Sequence, residues 1–395
     1  MKLLRLFWEF FKISLLVVGG GYAIIVVADE VFGRKRRMLA EGEVLEHLPI
    51  FQMVPGLIAG NTAIYVGLKI AGRTGAAVAL LGAALPSFLI FLAVSCGYSF
   101  LPVENSYVAG ALMGLRAALT GVVVGTIVKG WRSSVKGAYG YATVAAACLL
   151  VSALRWNVAL VMLLAMCAGV VWKFCGGATP AVMAGGAGVA VEPLSRRARV
   201  WAVLGGAAAL ALVTVFLGSV FWTFVKFGCL GFGGGFVLVP LYLQTFVGEA
   251  AQLLQIPAEE FSNLMALTQA TPGPVSVNAA TFFGYRMAGV VGAAVATTAL
   301  LLPSYFLLTA ALAGIERWKT SRFVQGLLWG VRPATNALMI HAAIVFAGMS
   351  VWHGGFQPFA CALAVFAAAA LLTRRLSVMV TIFLCAALGA AFAAL

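Results

Sequence analysis

Long apolar runs recur along this chain from its start to its end. Each run holds about 20 mostly apolar residues, which is enough for a helix to cross a hydrocarbon layer about 30 Å thick. Examples are Gly75–Gly97, Val108–Val128, Gly137–Ala153, Ala202–Leu217, Gly292–Gly314 and Val324–Met349. The pattern predicts an all-α polytopic membrane protein.

Composition and charge agree with this prediction. Only 10% of the residues are charged and 63% are hydrophobic, whereas a soluble domain has about 25% charged residues. The net charge of +14 is typical of basic cytoplasmic loops. Because no basic run is interleaved with aromatic residues, we predict membrane lipid as a partner and no nucleic acid. The seven Cys form no CxxC pair and the three His have no ligand spacing, so no metal or other cofactor is predicted.

The chain also repeats itself, which indicates a duplicated architecture. The matches keep one order along the chain: FWEFFK at 7–12 with FWTFVK at 221–226, PSF at 86–88 with PSY at 303–305, and GLR at 114–116 with GVR at 330–332. We therefore predict a first transmembrane repeat at 1–175, a linker with one connecting transmembrane helix at 176–218, and a second repeat at 219–395. Because the first residues have a twin deep inside the chain, they are interpreted as a retained element and not as a cleaved signal peptide.

Loop charges predict that the two repeats have opposite orientations. The first connector contains GRKRR at 33–37, whereas its counterpart at 246–262 has three Glu and no Lys or Arg. Under the positive-inside rule the two connectors lie on opposite sides of the membrane, which predicts inverted-topology repeats. Nine full spans with four broken or re-entrant helical hairpins fit the charges better than thirteen full spans, and both counts stay open.

Two Pro-Gly stretches predict helix breaks inside the membrane. MVPG at 53–56 and TPGP at 271–274 combine a residue that lacks a backbone donor with one that adopts unusual torsions. Such breaks are tolerated where the freed backbone faces protein or a water-filled cavity. A helix that begins after the break presents free N–H groups and the positive end of its dipole, which together favour an anion.

Duplicated polar and cationic residues extend this predicted anion site. A cation at the centre of an apolar helix costs at least ~2.5 kcal/mol, and no acidic residue lies near Arg116 or Arg332 in sequence, so the substrate is a candidate counter-charge. Snorkelling to the interface is the alternative, and it is favoured for Lys69 and Arg286. The predicted substrate-binding set is Lys12, Gly20, Gly21, Gln52, Pro55, Gly56, Asn61, Arg116, Lys226, Gly234, Gly235, Gln269, Thr271, Pro272, Gly273, Asn278 and Arg332.

Four acidic residues are candidates for carrying a coupling proton. Asp29 and Glu30 follow the first predicted hairpin, and Glu43 aligns with Glu260 in the repeat. A solvated connector face is the alternative interpretation of all four, and it is the preferred one.

Three stretches resemble the chromate ion transporter family in its bidomain, duplicated form. They are GFGGGFVLVP at 231–240, QATPGPVSVNAATFFGYRMAG at 269–289 and LLPS at 301–304. The resemblance implies a multi-pass protein of the bacterial or archaeal inner membrane, with chromate as substrate and sulfate as a similar oxyanion. The first half departs from the family pattern, with VGGGY at 18–22 and PGL at 55–57, so half of the predicted site differs from that pattern.

These observations together predict a secondary active transporter of a tetrahedral oxyanion that works by alternating access, driven by protons or by exchange as an antiporter. The alternative is a channel, or a transporter for another small anion or solute. An enzyme is not predicted, because the sequence contains neither HExxH nor GxSxG and few carboxylates within its apolar runs. A homodimer is left open.

Overall fold

The computed structural model describes residues 2–16, 21–102, 104–176, 217–232, 235–248, 251, 253–319, 321–352, 355–373 and 375–394. Within these ranges the chain is helical, and no β-strand occurs beyond one isolated bridge between Val247 and Ile256. Four described helices are long and apolar enough to cross a membrane. The predicted all-α polytopic membrane fold is therefore confirmed.

Fifteen helices can be bounded within the described ranges. In the first half they are α1 Lys2–Leu16, α2 Gly21–Asp29, α3 Glu43–Glu46, α4 Leu48–Met53, α5 Ile58–Gly97, α6 Ser106–Ser134, α7 Gly137–Cys148 and α8 Val158–Phe174. In the second half they are α9 Leu217–Leu230, α10 Val239–Phe246, α11 Ala258–Ala270, α12 Val275–Lys319, α13 Arg322–Ser350, α14 Pro358–Thr373 and α15 Val378–Phe392. Short π-helical turns, Glu30–Lys35 and Leu149–Ala153, extend α2 and α7.

Most of the predicted spans coincide with helices. Val108–Val128 lies inside α6, Val324–Met349 lies inside α13, and Gly137–Ala153 is α7 with its π turn. Apart from its last residue, the predicted span Ala202–Leu217 lies outside the described residues, as does most of the predicted linker.

Helices α5 and α12 are hairpins of two limbs each. The torsions of Ala71 (φ −146°, ψ 27°) and Gly72 (φ 62°, ψ −152°) are not helical, and Ala288 and Gly289 repeat them within about ten degrees. Since φ near +60° favours glycine, the Ala-Gly pair sets the position of the turn. This break is not among the predicted ones, although the Ala-Gly dipeptide is repeated at 71–72 and 288–289. The second limbs match the predicted spans Gly75–Gly97 and Gly292–Gly314.

The described residues form two compact units that cut across the sequence halves. One unit draws on the described residues within 1–96, 217–231 and 277–319, and the other on those within 97–176, 232–276 and 320–395. Each unit therefore contains residues of both halves. The predicted repeat boundaries mark where the sequence is similar to itself. The compact units have different boundaries, because each unit combines segments from both repeats.

The first unit shows the duplication as a repeated helix contact. The Ser14 hydroxyl of α1 donates to the Ala83 carbonyl of α5 at 2.6 Å. At the equivalent place in the second half, a Cβ added to Gly228 of α9 would lie 2.5 Å from the Leu300 carbonyl oxygen of α12. The same pair of helices thus packs closely twice, and the residue at the contact is small each time.

The second unit is held together by glycine faces. Helix α6 packs against α14 and α15, while α13 packs against α7 and α8. A Cβ on Gly110 would lie 2.4 Å from the Gly389 carbonyl oxygen, and one on Gly121 would lie 2.1 Å from that of Ala364. Helix α6 carries two GxxxG pairs, Gly110/Gly114 and Gly121/Gly125. Their spacing predicts close helix packing, and the contacts agree. A long helix of each half packs on the last two helices of the other half.

Candidate functional site

The first Pro-Gly stretch forms a turn between two helices. Helix α4 ends at Met53 and α5 begins at Ile58. Gly56 has φ +124°, and its N–H donates to the Gly231 carbonyl at 2.9 Å. The first backbone hydrogen bond that leads into α5 runs from Asn61 to Leu57, at 2.7 Å. The N–H groups between these two residues therefore have no acceptor within the helix and lie at the turn.

Asn61 ties the two helices together across this turn. Its amide nitrogen donates to the carbonyls of Phe51 at 2.9 Å and Val54 at 3.2 Å, at the end of α4. The side chain is fully buried. Asn61 therefore lies at the turn as predicted, but both donors of its amide are used to cap α4.

Ser304 of α12 covers the same turn. A Cβ added to Gly56 would lie 1.9 Å from the Ser304 hydroxyl oxygen and 2.6 Å from its Cβ. Any side chain at position 56 would therefore force Ser304 or the turn to shift. This contact joins the two halves and is not predicted from the sequence, although Ser304 belongs to the repeated PS motif.

The second Pro-Gly stretch forms an equivalent turn. Helix α11 ends at Ala270, Gly273 has φ +99°, and α12 begins at Val275. The Thr271 hydroxyl donates to the Leu267 carbonyl at 3.0 Å, which satisfies one of the last acceptors of α11. Both predicted breaks are thus positions where one helix ends and another begins, and both have a glycine with positive φ.

Gly235, the last of three consecutive glycines at 233–235, lies close to this turn. A Cβ added to Gly235 would lie 2.9 Å from the Val275 Cβ and 3.0 Å from the Ser276 hydroxyl oxygen. The neighbours of Gly235 are side chains in the first turn of α12, so position 235 accommodates a glycine most easily. Gly20 and Gly234 lie outside the described residues, and Gly21 is the first residue of α2.

The remaining polar residues of the predicted site lie at different depths. Gln52 on α4 and Gln269 on α11 are half-buried, and Asn278 is fully buried in the first turns of α12. Pro55 and Pro272 lie within the two turns. Lys12 and Lys226 are exposed on α1 and α9, and the Lys12 ammonium is 3.8 Å from a Glu9 carboxylate oxygen.

Arg116 has an acidic partner, so one expectation from the sequence is wrong. Its guanidinium Nη1 lies 2.8 Å from Glu259 Oε1; 9% of the Arg116 side chain is exposed and 52% of that of Glu259. The two residues are 143 positions apart in sequence, which is why local inspection found no counter-charge. Glu259 therefore supplies a counter-charge for Arg116 that its local sequence does not indicate, and substrate binding by Arg116 stays a prediction.

Arg332, the repeat twin of Arg116, lies half-buried on α13. The side chains of Thr335 and Asn336 donate to its backbone carbonyl at 2.8 and 3.3 Å. On α6 the Thr120 hydroxyl donates to the Arg116 carbonyl at 3.2 Å in the same way. The backbone carbonyl of each arginine thus accepts a side chain from the next turn of its helix, whereas the burial of the two arginines differs.

Breaking the Arg116–Glu259 pair should destabilise the protein more than removing it whole. We expect Arg116→Gln and Glu259→Gln each to lower the free energy of unfolding by about 1–3 kcal/mol. This range lies between the small effect of an exposed ion pair and the large effect of breaking a buried one. The double variant should lose less than the sum of both. Unfolding of purified protein in detergent, followed in all four variants of the cycle, measures the coupling. Strict additivity would show that the pair contributes nothing.

Two of the coupling candidates are engaged in the first connector. The buried carboxylate of Asp29 accepts from the N–H groups of Gly42 at 3.2 Å and Val44 at 3.1 Å, at the start of α3. Glu30 pairs with Lys35 at 2.9 Å on the exposed side. The hydrogen bond from Lys35, followed by its charge, holds the pKa of Glu30 below its ordinary value. Asp29 therefore has a clear structural role, as a cap of α3.

Glu43 is the centre of a hydrogen-bond network. Its carboxylate accepts from the Tyr65 hydroxyl at 2.7 Å, the Ala40 N–H at 3.0 Å and the Lys69 ammonium, whose nitrogen is 3.1 Å away. Burial acts to raise the pKa of Glu43, but these donors together outweigh burial and hold the pKa below its ordinary value. Glu43 is therefore ionised at neutral pH. Its repeat partner Glu260 is half-buried at the start of α11.

The fold and these two turns define a polytopic α-helical membrane protein with duplicated, interrupted helices, a class that includes many secondary transporters. The chain belongs to the chromate transporter family, whose sequence model matches residues 4–172 and 218–390. The match in both halves confirms the predicted bidomain form.

Curated relatives carry names that agree with this family. The chain is 25% identical over 381 residues to a chromate transport protein of Pseudomonas aeruginosa, covering 89% of this chain and 85% of the relative. It is 26% identical over 359 residues to a chromate transport protein of Cupriavidus metallidurans, covering 88% and 83%. A probable chromate transport protein of Synechococcus elongatus is 26% identical over 353 residues, covering 87% and 84%. No solved structure matches the chain.

Proposed function

We propose that this protein is a secondary active transporter that moves a tetrahedral oxyanion, chromate first and sulfate as a similar dianion, across a bacterial or archaeal inner membrane by alternating access. The observation that carries the proposal is the duplicated break, with Gly56 at φ +124° and Gly273 at φ +99°, each directly before a helix. The names of the curated relatives support chromate as the first substrate to test.

The helix after each turn supplies the chemistry for an anion. An α-helix carries the equivalent of about +0.5 charge at its N-terminus, together with N–H groups that have no acceptor in the helix. The first limbs of α5 and α12 begin at Ile58 and Val275, and phosphate-like anions bind such helix ends in many proteins. A dianion would be held by these N–H groups, with arginine or lysine charge as further support.

Inverted repeats are the second part of the proposal. The opposite charges of the connectors at 33–37 and 246–262 favour opposite orientations in the membrane. Such repeats give a transporter two equivalent conformations in which the site opens to either side. We propose that exchange or a proton gradient supplies the driving force, which makes antiport the expected mode.

A channel, or a transporter for another small anion or solute, is the second candidate. The observation in its favour is the first half, where VGGGY at 18–22 and PGL at 55–57 depart from the family pattern. The fold would be unchanged, but the occupant of the first turn would differ.

Transport by purified protein in liposomes tests the proposal. We expect saturable uptake of radioactive chromate that sulfate inhibits and that depends on a pH gradient or on anion loaded inside the vesicles. Molybdate serves as a further dianion and nitrate as a monoanion control. Flux that does not saturate and needs no gradient would identify a channel, and no flux of any tetrahedral dianion would overturn chromate as substrate.

A further inference from the structure

The hydroxyl of Ser304 is buried beside the first Pro-Gly turn. The residue is fully buried on the second limb of α12. Its oxygen is the atom closest to the position that a Gly56 side chain would take, nearer than the Ser304 Cβ or Cα. The hydroxyl therefore points at the turn that precedes α5.

This hydroxyl has no hydrogen-bond partner among the described residues. Other buried or half-buried hydroxyls on these helices donate back to the carbonyl four residues earlier, as Ser95 does to Phe91 at 2.6 Å and Thr309 to Tyr305 at 2.8 Å. That local bond is the usual way in which a helical hydroxyl is satisfied. Because an unmade buried hydrogen bond destabilises a protein, the orientation of Ser304 favours a partner other than the described residues.

The surroundings of the hydroxyl favour a negatively charged partner. The N–H groups of Ile58, Ala59 and Gly60 form the first turn of α5, where the helix dipole is positive. The carbonyls of Phe51 and Val54 at the end of α4, which a cation would need, already accept the Asn61 amide. The buried Asn61 Oδ1 is an acceptor at this turn without a partner among the described residues, but the three N–H groups of the first turn of α5 outnumber it. A bound cation would also meet the positive end of a helix.

We propose that Ser304 is a binding residue for the tetrahedral oxyanion at the first turn, where its hydroxyl donates to an anion oxygen alongside the backbone N–H groups of α5. This inference rests on the proposed function and adds a residue that determines affinity. Gly56 belongs to the same proposed binding site, because any side chain at position 56 would occupy the space in front of the Ser304 hydroxyl.

The repeat carries the same feature a second time. Ser87 follows Pro86 as Ser304 follows Pro303, and Ser87 is likewise fully buried with a hydroxyl that has no partner among the described residues. Duplication of an unsatisfied hydroxyl in both halves, at the same motif, argues for a ligand-binding role and against an accident of packing.

The test compares Ser304→Ala with Ser95→Ala in the purified full-length protein. Ser95 is a buried helical serine whose hydroxyl is satisfied locally, so it is a matched control. For Ser304→Ala we expect the KM for chromate uptake into liposomes to rise about tenfold or more, with thermal stability in detergent equal to wild type or higher. Chromate should also raise the melting temperature of the wild type more than that of the variant. Ser95→Ala should keep the wild-type KM.

The outcomes separate this inference from the proposed function. If the wild type transports chromate and Ser304→Ala keeps its KM and its stabilisation by chromate, Ser304 is not a binding residue and the proposed function stands. Lower thermal stability with unchanged chromate binding would likewise assign Ser304 a structural role. If the wild type transports no tetrahedral dianion and is not stabilised by one, the proposed function itself fails.

Discussion

Arg332→Gln is expected to reduce chromate uptake into liposomes about 10- to 150-fold, with unchanged folding. Gln keeps hydrogen-bonding capacity but removes the positive charge, and a hydrogen bond to a charged group contributes about 1.5–3 kcal/mol. Arg332 lies half-buried in an apolar helix, where holding a cation is costly unless it serves a function. Uptake rate and expression level, measured on the same preparation, test the expectation.

Arg322→Gln is the matched control for this variant. Arg322 is the first residue of the same helix and is exposed, so losing its charge should change uptake little. Arg332→Lys should recover part of the activity, since it restores the charge but not the planar pair of donors. Wild-type uptake by Arg332→Gln would remove Arg332 from the proposed site.

Gly56→Ala is expected to abolish transport by deforming the first turn. At φ +124° an alanine is strained by about 1–3 kcal/mol. Its Cβ would also lie 1.9 Å from the Ser304 hydroxyl oxygen and 3.3 Å from the Ser304 Cα, so α12 or the turn must move. Size-exclusion profile, melting temperature and uptake of the purified variant measure the damage.

Gly42→Ala separates strain from collision. Gly42 also has a positive φ, of 82°, but nothing lies within 4 Å of the position that its Cβ would take. Only backbone strain should therefore lower the stability of this variant, which should keep most of its transport activity. Equal losses in both variants would mean that contact with Ser304 does not decide the effect at position 56.

The features that sequence reasoning found depend on local chemistry. Proline and glycine limit the backbone wherever they occur, so the ends of α4 and α11 at the Pro-Gly stretches could be predicted from sequence. The close packing of α6 could be predicted because glycine four residues apart leaves one helix face bare. Self-similarity of the two halves indicated the duplication, and the two matches to the family confirm it.

The features that sequence reasoning missed depend on folding. Nothing near Arg116 in sequence indicates Glu259, because the pair forms only when α6 and the start of α11 meet. The role of Ser304 at Gly56 likewise joins residues from the two halves. The Ala-Gly hairpins could have been found, since both copies repeat the dipeptide, but a lone Ala-Gly is compatible with a continuous helix.

The reciprocal packing of α6 and α13 has a consequence for how the chain is made. During synthesis α6 enters the membrane long before its partners α14 and α15 exist. Its glycine face, including Gly110 and Gly121, must therefore remain in contact with lipid or with helices that are later displaced. A chain that ends after α8 would lack the helices on which α6 packs, and it would also lack α13, on which α7 and α8 pack. Because α14 and α15 are synthesised last, the packing of the second unit is complete only after both helices have been made.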